Sequence, residues 1–168
     1  MFVLLKHLRR VRRDANLPPR RGARSLALRH VDAGSCNACE HELAATAAPQ
    51  YDLQRFGLDV VASPRHADVL LVTGAVTRRM ESALLSAYEA MPEPRRVAAL
   101  GDCACGRGVL ASAAELGTPL ELLLPVDLRI SGCPPSPGRI AEALLELVDG
   151  PAANPLSGRV DGRRPPPP

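Results

Sequence analysis

The chain has 168 residues, enough for one domain with a real core and short appendages, and its aromatic content of 2% with no Trp argues against an aromatic-rich β-sandwich and for closely packed β-α units built on Leu, Val and Ala. The formal net charge of +3 conceals an asymmetry: residues 1–30 carry nine Lys or Arg against one Asp, and the rest carries 12 basic against 17 acidic groups. No run of about 18 apolar residues exists, so the chain is not expected to span a membrane.

Residues 1–24 read as a basic amphipathic leader. Phe2, Val3, Leu4, Leu5, Leu8 and Val11 interleave with Lys6, Arg9, Arg10, Arg12 and Arg13, a pattern suited to a short helix on anionic lipid or against a membrane subunit. A nucleic-acid arm would call for base-stacking aromatics, which do not accompany the charges, so no nucleic-acid partner is expected. The apolar stretch Phe2–Leu5 is too short and wrongly ordered for a secretory signal, and the Arg pairs lack the apolar region of a twin-Arg signal. A cytoplasmic protein is expected, where reduced cysteines mean metal or redox chemistry more often than disulfides.

From Ser25 the pattern alternates strand and helix. SLALRHVDAG predicts a first strand and CEHELAATAAP a short helix, with Asn37 and Glu40 spaced as a variant capping box. LDVVAS and ADVLLVTG predict strands, the second apolar enough to be buried on both faces. Thr77 is placed to cap the helix RRMESALLSAYEAM, whose Met80, Leu84, Ala87, Tyr88 and Met91 share a face. VAALGD is the next strand. Leu110 to Leu124 is ambiguous between helix and loop because Gly117 and Pro119 interrupt it. VDLRISG is the last strand, and SPGRIAEALLELVDG is the clearest helix: Ser136 fits the N-cap, Pro137 the first turn, and Ile140, Ala143, Leu144, Leu147 and Val148 a core stripe. Residues 151–168 are a Pro/Gly-rich tail. The domain therefore covers residues 25–150, and its order of elements predicts an α/β fold, flavodoxin-like, with a mostly parallel sheet and helices on both faces. Strand order is not readable from periodicity.

Four of the five cysteines, Cys36, Cys39, Cys103 and Cys133, lie in the segments VDAGSCNAC, AALGDCACG and RISGCPPSP, where strands give way to loops after a Gly. Loops beyond the carboxyl ends of parallel strands converge on one edge of an open sheet, so one edge can collect all four thiols as a metal site. The close pair alone also occurs in zinc ribbons and thioredoxin-like enzymes. Zinc would favour a second close pair, yet 29 residues separate Cys103 from Cys133, and a thioredoxin-like reading leaves those two unexplained. A cubane cluster takes one Cys per iron and accepts separate loops. Iron-sulfur is the preferred reading, with a structural zinc module as the rival.

Cys39 in the first turn of a helix would gain from its positive end. Gly101, Gly106, Gly108 and Gly132 let backbone approach sulfur, and Pro134 and Pro135 stiffen the last loop. Cys105 reads as a small buried apolar residue beside the site.

The segments GSCNACEHEL, RFGLDVVASPRHADVLLVTGAVTRRM, LGDCACGRG and SGCPPSPGRI, within about residues 30–148, resemble the 20 kDa-type iron-sulfur subunit shared by respiratory complex I (the NADH-quinone oxidoreductase) and the membrane-bound nickel-iron hydrogenases. The resemblance implies that Cys36, Cys39, Cys103 and Cys133 hold one 4Fe-4S cluster at the carboxyl edge of the strands, in a subunit that relays electrons and has no catalytic residues of its own. It implies as partners a large hydrogenase-like or 49 kDa-type subunit, a ferredoxin-like iron-sulfur subunit and membrane-arm subunits. The implied location is peripheral, on the cytoplasmic face of the inner membrane.

Complex I members typically have adjacent cysteines in the first loop. Here two residues separate Cys36 from Cys39, which with SPRHADVLLVTGAVTR looks closer to formate hydrogenlyase and energy-converting hydrogenase small subunits; transfer to quinone is the alternative. The third loop departs from the family's Gly pair, since Arg107 separates Gly106 from Gly108. His41 and Glu42 are candidates for proton movement or plain polar helix residues. Arg65 and His66 are candidates for partner contact, cluster tuning or a structural turn, and Arg78 and Arg79 for the site edge or simple helix-start charge.

Overall fold

The computed structural model describes residues 25–112 and 115–149; the leader and the tail lie outside the described residues. Five parallel strands form one sheet: β1 Leu26–Asp32, β2 Leu58–Val60, β3 Val69–Thr73, β4 Arg96–Leu100 and β5 Leu128–Ile130. Their spatial order is β2-β1-β3-β4-β5, the flavodoxin-like order, with its reversal between β1 and β3.

The helices α1 Ala38–Ala45, α2 Arg78–Glu89, α3 Leu120–Leu123 and α4 Pro137–Asp149 divide between the two faces. Leu43 of α1 and Ile140, Leu144 and Val148 of α4 pack on Leu28, Val69, Leu71 and Leu100. On the other face Leu84 and Tyr88 of α2 and Leu120 of α3 pack on Val31, Leu70, Val72 and Val97. Every residue of β3 is buried, because alternate side chains enter the two cores; this is why VLLVT lacks the alternation of a half-exposed strand.

Register sets the site. Asp32 pairs with Thr73, Thr73 with Leu100, and Leu100 with Ile130, so β1, β3, β4 and β5 end on one line. The chain leaves the sheet at a common level four times, and three of those exits lead to the cysteines.

Some local expectations fail. Asn37 stands before α1 in the left-handed region (φ 66) and its side chain caps nothing. The capping box is absent because the preceding loop satisfies itself: Asp32 Oδ1 accepts from the Gly34 and Ser35 N–H groups, each at 2.8 Å, and Ser35 Oγ accepts from Asn37 N–H at 3.1 Å. Glu40 is thereby released toward Thr73. Thr77 occupies the N-cap position of α2 without capping it, and its hydroxyl donates to Ala33 O at 3.2 Å. Ser136 does accept from Arg139 N–H, at 3.5 Å. The ambiguous Leu-rich stretch resolves into a 3₁₀ turn at Val109–Ser112 and the single-turn α3 directly after Pro119.

Candidate metal centre

The first cysteine loop follows β1 and is bound to the loop after β3: Ala33 N–H donates to Thr73 O at 2.9 Å, Thr77 N–H to Ala33 O at 2.9 Å, and Ala75 N–H to Gly34 O at 3.2 Å. Cys36 is exposed, and Cys39, in the first turn of α1, is half-buried. The Cys103 and Cys133 loops form a second unit. Asp102 N–H donates to Gly132 O and Asp102 Oδ1 accepts from Gly132 N–H, both at 2.9 Å, while Arg107 Nη2 donates to Ser131 Oγ at 2.6 Å.

Gly101 joins the two units. It is buried, has φ +90, and leaves its side-chain position to the Cys39 sulfur, which a Cβ would strike. Gly108 is likewise pressed on Cys103, so that a Cβ there would strike both the Cys103 sulfur and its backbone. The Cys39 and Cys103 sulfurs thus lie against close-approaching backbone at the carboxyl edge.

Electrostatics ties the set together. Burial first, then Glu40, then Cys36, Cys103 and Cys133 push the Cys39 thiol from its ordinary value near 9 up to about 11. Each of the other three thiols bears on Cys39, and four thiolates gathered in this way repel one another unless a cationic centre balances them. The donor set therefore fits a metal group. Among the described residues no three His, Cys, Asp or Glu side chains close on one point as they would around a single ion.

Cys105 faces away. It is 8% exposed within the core beneath α2 and α3, its Sγ stands 4.0 Å from Ala99 O, and burial raises its thiol despite the opposing Arg107. His41 is exposed and Glu42 half-buried on α1. Arg65 and His66 occupy a 3₁₀ turn that enters β3 at its amino end, which corrects the suggestion that they tune the centre: parallel strands put that turn at the opposite edge of the sheet from the cysteines. Arg78 and Arg79 are exposed at the start of α2 on the site edge, and Arg78 Nε donates to Leu116 O at 3.1 Å.

One polar group near the site escaped sequence reasoning. Thr73, fully buried at the end of β3, donates through its hydroxyl to Glu40 Oε1, leaving its lone pairs for His30 Nε2 at 2.9 Å. Burial lowers the His30 pKa, with Glu40 opposing, and Glu40 Oε2 is buried without a hydrogen-bond partner among the described residues. The available signal was a lone Thr closing an apolar run, since a buried hydroxyl needs partners. A cavity of about 420 Å³ between α1, β1 and β2 opens beside this group, lined by His30, Glu40, Leu43, Leu53, Leu58 and Val60 among others and by none of the cysteines.

Comparison with known proteins agrees with this fold. The chain is 42% identical over 120 residues, 71% of its length and 72% of the other, to the probable membrane-bound hydrogenase subunit mbhJ of Pyrococcus furiosus. It is 43% identical over 111 residues, 66% of its length and 65% of the other, to the B subunit of NADH-quinone oxidoreductase from Citrifermentans bemidjiense. A chain in the structure of the membrane-bound sulfane sulfur reductase, an archaeal respiratory membrane complex, superposes with a TM-score of 0.63 at 32% identity, covering 75% of this chain and 71% of that one. The pattern of one family, described as NADH ubiquinone oxidoreductase, 20 Kd subunit, matches residues 36–147, from the first cysteine of the site to the last turns of α4. The chain belongs to this 20 kDa subunit family.

Proposed function

We propose that this chain is an electron-transfer subunit holding one 4Fe-4S cluster on Cys36, Cys39, Cys103 and Cys133, within a membrane-associated, hydrogenase-like complex. What supports this reading is that Cys39 rests on Gly101, at the entry to the Cys103 loop, and that Cys36, Cys103 and Cys133 each act on its thiol. A polynuclear group with one thiolate per iron spreads its ligands more widely than a single zinc ion does, which favours it over the zinc module. Bound there, the cluster supplies one-electron transfer.

The chain's own residues hold and shield the group. The Asp102–Gly132 pair fixes the spacing of the Cys103 and Cys133 loops, and Gly101 and Gly108 bring backbone against sulfur. Cys36 and Cys133 remain exposed, and Val109 at the same edge is 82% exposed. A partner must cover this edge to exclude water and lower the dielectric around the cluster. The large hydrogenase-like subunit fills that role in this reading, and a ferredoxin-like subunit exchanges electrons with the cluster.

The hydrogenase branch is preferred on the two-residue gap between Cys36 and Cys39, which lets α1 begin at Ala38 with Cys39 in its first turn. The complex I-type reading, with electrons passed to quinone, is the second, favoured by the family description and by an NADH-quinone oxidoreductase relative of similar identity. No described helix is long and apolar enough to cross a membrane. Attachment is assigned to membrane-arm subunits and the basic leader, on the cytoplasmic face.

Anaerobic purification of the complex, followed by iron, sulfide and zinc analysis, tests the proposal. About four iron and four sulfide per chain are expected, with an EPR signal on reduction. Stoichiometric zinc without sulfide overturns it.

A further inference from the structure

Arg107 splits the glycines of the Cys103 loop, standing between Gly106 and Gly108. Its N–H donates to Asp102 O at 2.8 Å, which folds the loop back beside Cys103. The next residue, Gly108, lies against the Cys103 sulfur. From this fixed base the side chain crosses to the neighbouring loop, where Nη2 donates to Ser131 Oγ at 2.6 Å, two residues before Cys133. The guanidinium also bears on the Cys105 thiol. Two carboxylates stand on this side: Glu121 pairs with Arg129 at 2.7 Å and also feels the Arg107 charge, and Asp102 accepts from Gly132 at 2.9 Å.

We propose that Arg107 is a positioning residue for the cluster, tethering the Cys103 loop to the Cys133 loop through Ser131 and holding a positive charge there that raises the cluster's reduction potential. The inference rests on the cluster assigned under the proposed function. Reduction adds negative charge, so a fixed cation stabilises the reduced state more than the oxidised one. Arg107 is exposed in the isolated chain, where water and salt screen it; covering the edge with a partner strengthens the effect.

The test uses the intact complex with Arg107→Gln, Arg107→Lys and Ser131→Ala. Iron and sulfide are measured first, then each cluster is titrated potentiometrically by EPR. Arg107→Gln is expected to titrate at a lower potential than wild type, Arg107→Lys close to wild type, and Ser131→Ala between them. An unchanged potential in Arg107→Gln with full iron overturns the proposal, and so do equal shifts in Gln and Lys. If Arg107→Gln fails to retain iron, Ser131→Ala decides, and an unchanged potential there overturns the tether. Absence of iron and sulfide from the wild-type complex instead rejects the cluster reading itself.

Discussion

Replacing Gly101 by alanine separates the contact between the Cys39 loop and the Cys103 loop from ordinary backbone strain. Gly101 has φ +90 and is packed on the Cys39 sulfur, whereas Gly106, in the same loop at φ +72, has nothing within 4 Å of a built Cβ. An L-residue in this region costs about 1–2 kcal/mol at either position. Only Gly101→Ala adds overpacking, about 1–3 kcal/mol when neighbours must shift. The expected losses are about 2–5 kcal/mol for Gly101→Ala and about 1–2 for Gly106→Ala, against a typical total stability of about 5–15 kcal/mol. Over most of that range both variants should fold, and the Gly101 variant should displace the Cys39 sulfur. The assay compares denaturant midpoints of the two variants, and iron and sulfide per chain after anaerobic purification. Gly106→Ala should keep its iron and Gly101→Ala should lose much of it. Equal midpoints and equal iron would refute the contact.

Other expectations concern single groups. Cys103→Ser should abolish the native cluster and Cys105→Ser should spare it, at a cost of about 1–3 kcal/mol for burying a hydroxyl in an apolar site; EPR and iron analysis with the roles exchanged would mean that Cys105 is the ligand. In the metal-free chain the folded state holds the Cys39 proton more tightly than the unfolded state, so stability should fall as pH rises from about 9 to about 11, and Cys39→Ser should flatten that decline in denaturant titrations. His30 behaves as the opposite case: its pKa is lowered on folding, so its contribution is present above about 6.5 and lost as pH falls below that. His30→Gln should weaken the acid dependence between pH 7 and 5, and an unaltered dependence would remove His30 from the account. Deleting residues 2–13 should leave iron content intact and weaken membrane attachment in a flotation assay; unchanged attachment would sink the role given to the leader.

Much of the fold was legible because its elements follow local rules. The apolar run at Val69–Thr73 announced a strand buried on both faces, and the stripe through Ile140, Leu144 and Val148 announced α4. That the cysteine segments follow strand ends was legible because each pairs an apolar run with Gly. Capping was read less well. Asn37, Glu40 and Thr77 had the right spacing for local bonds, but Ser35, Thr73 and Ala33 offered partners from the loop and from distant strands. For Arg65 and His66 the structural-turn alternative holds and the cluster-tuning one fails, because proximity to a strand does not reveal which end of the sheet a turn occupies.

The sequence by itself determined the alternation of strands and helices, the apolar faces, and which thiols stand at strand ends, since periods of two and 3.6 and Gly-bounded exits are local properties. The tertiary structure decided the order β2-β1-β3-β4-β5 and the common end line through Asp32, Thr73, Leu100 and Ile130. That alignment brings the Cys39 sulfur onto Gly101, turns Cys105 into the opposite core, and lets Arg107 reach Ser131. Such contacts depend on pairing between segments far apart in the chain, and no local pattern encodes which strands become neighbours.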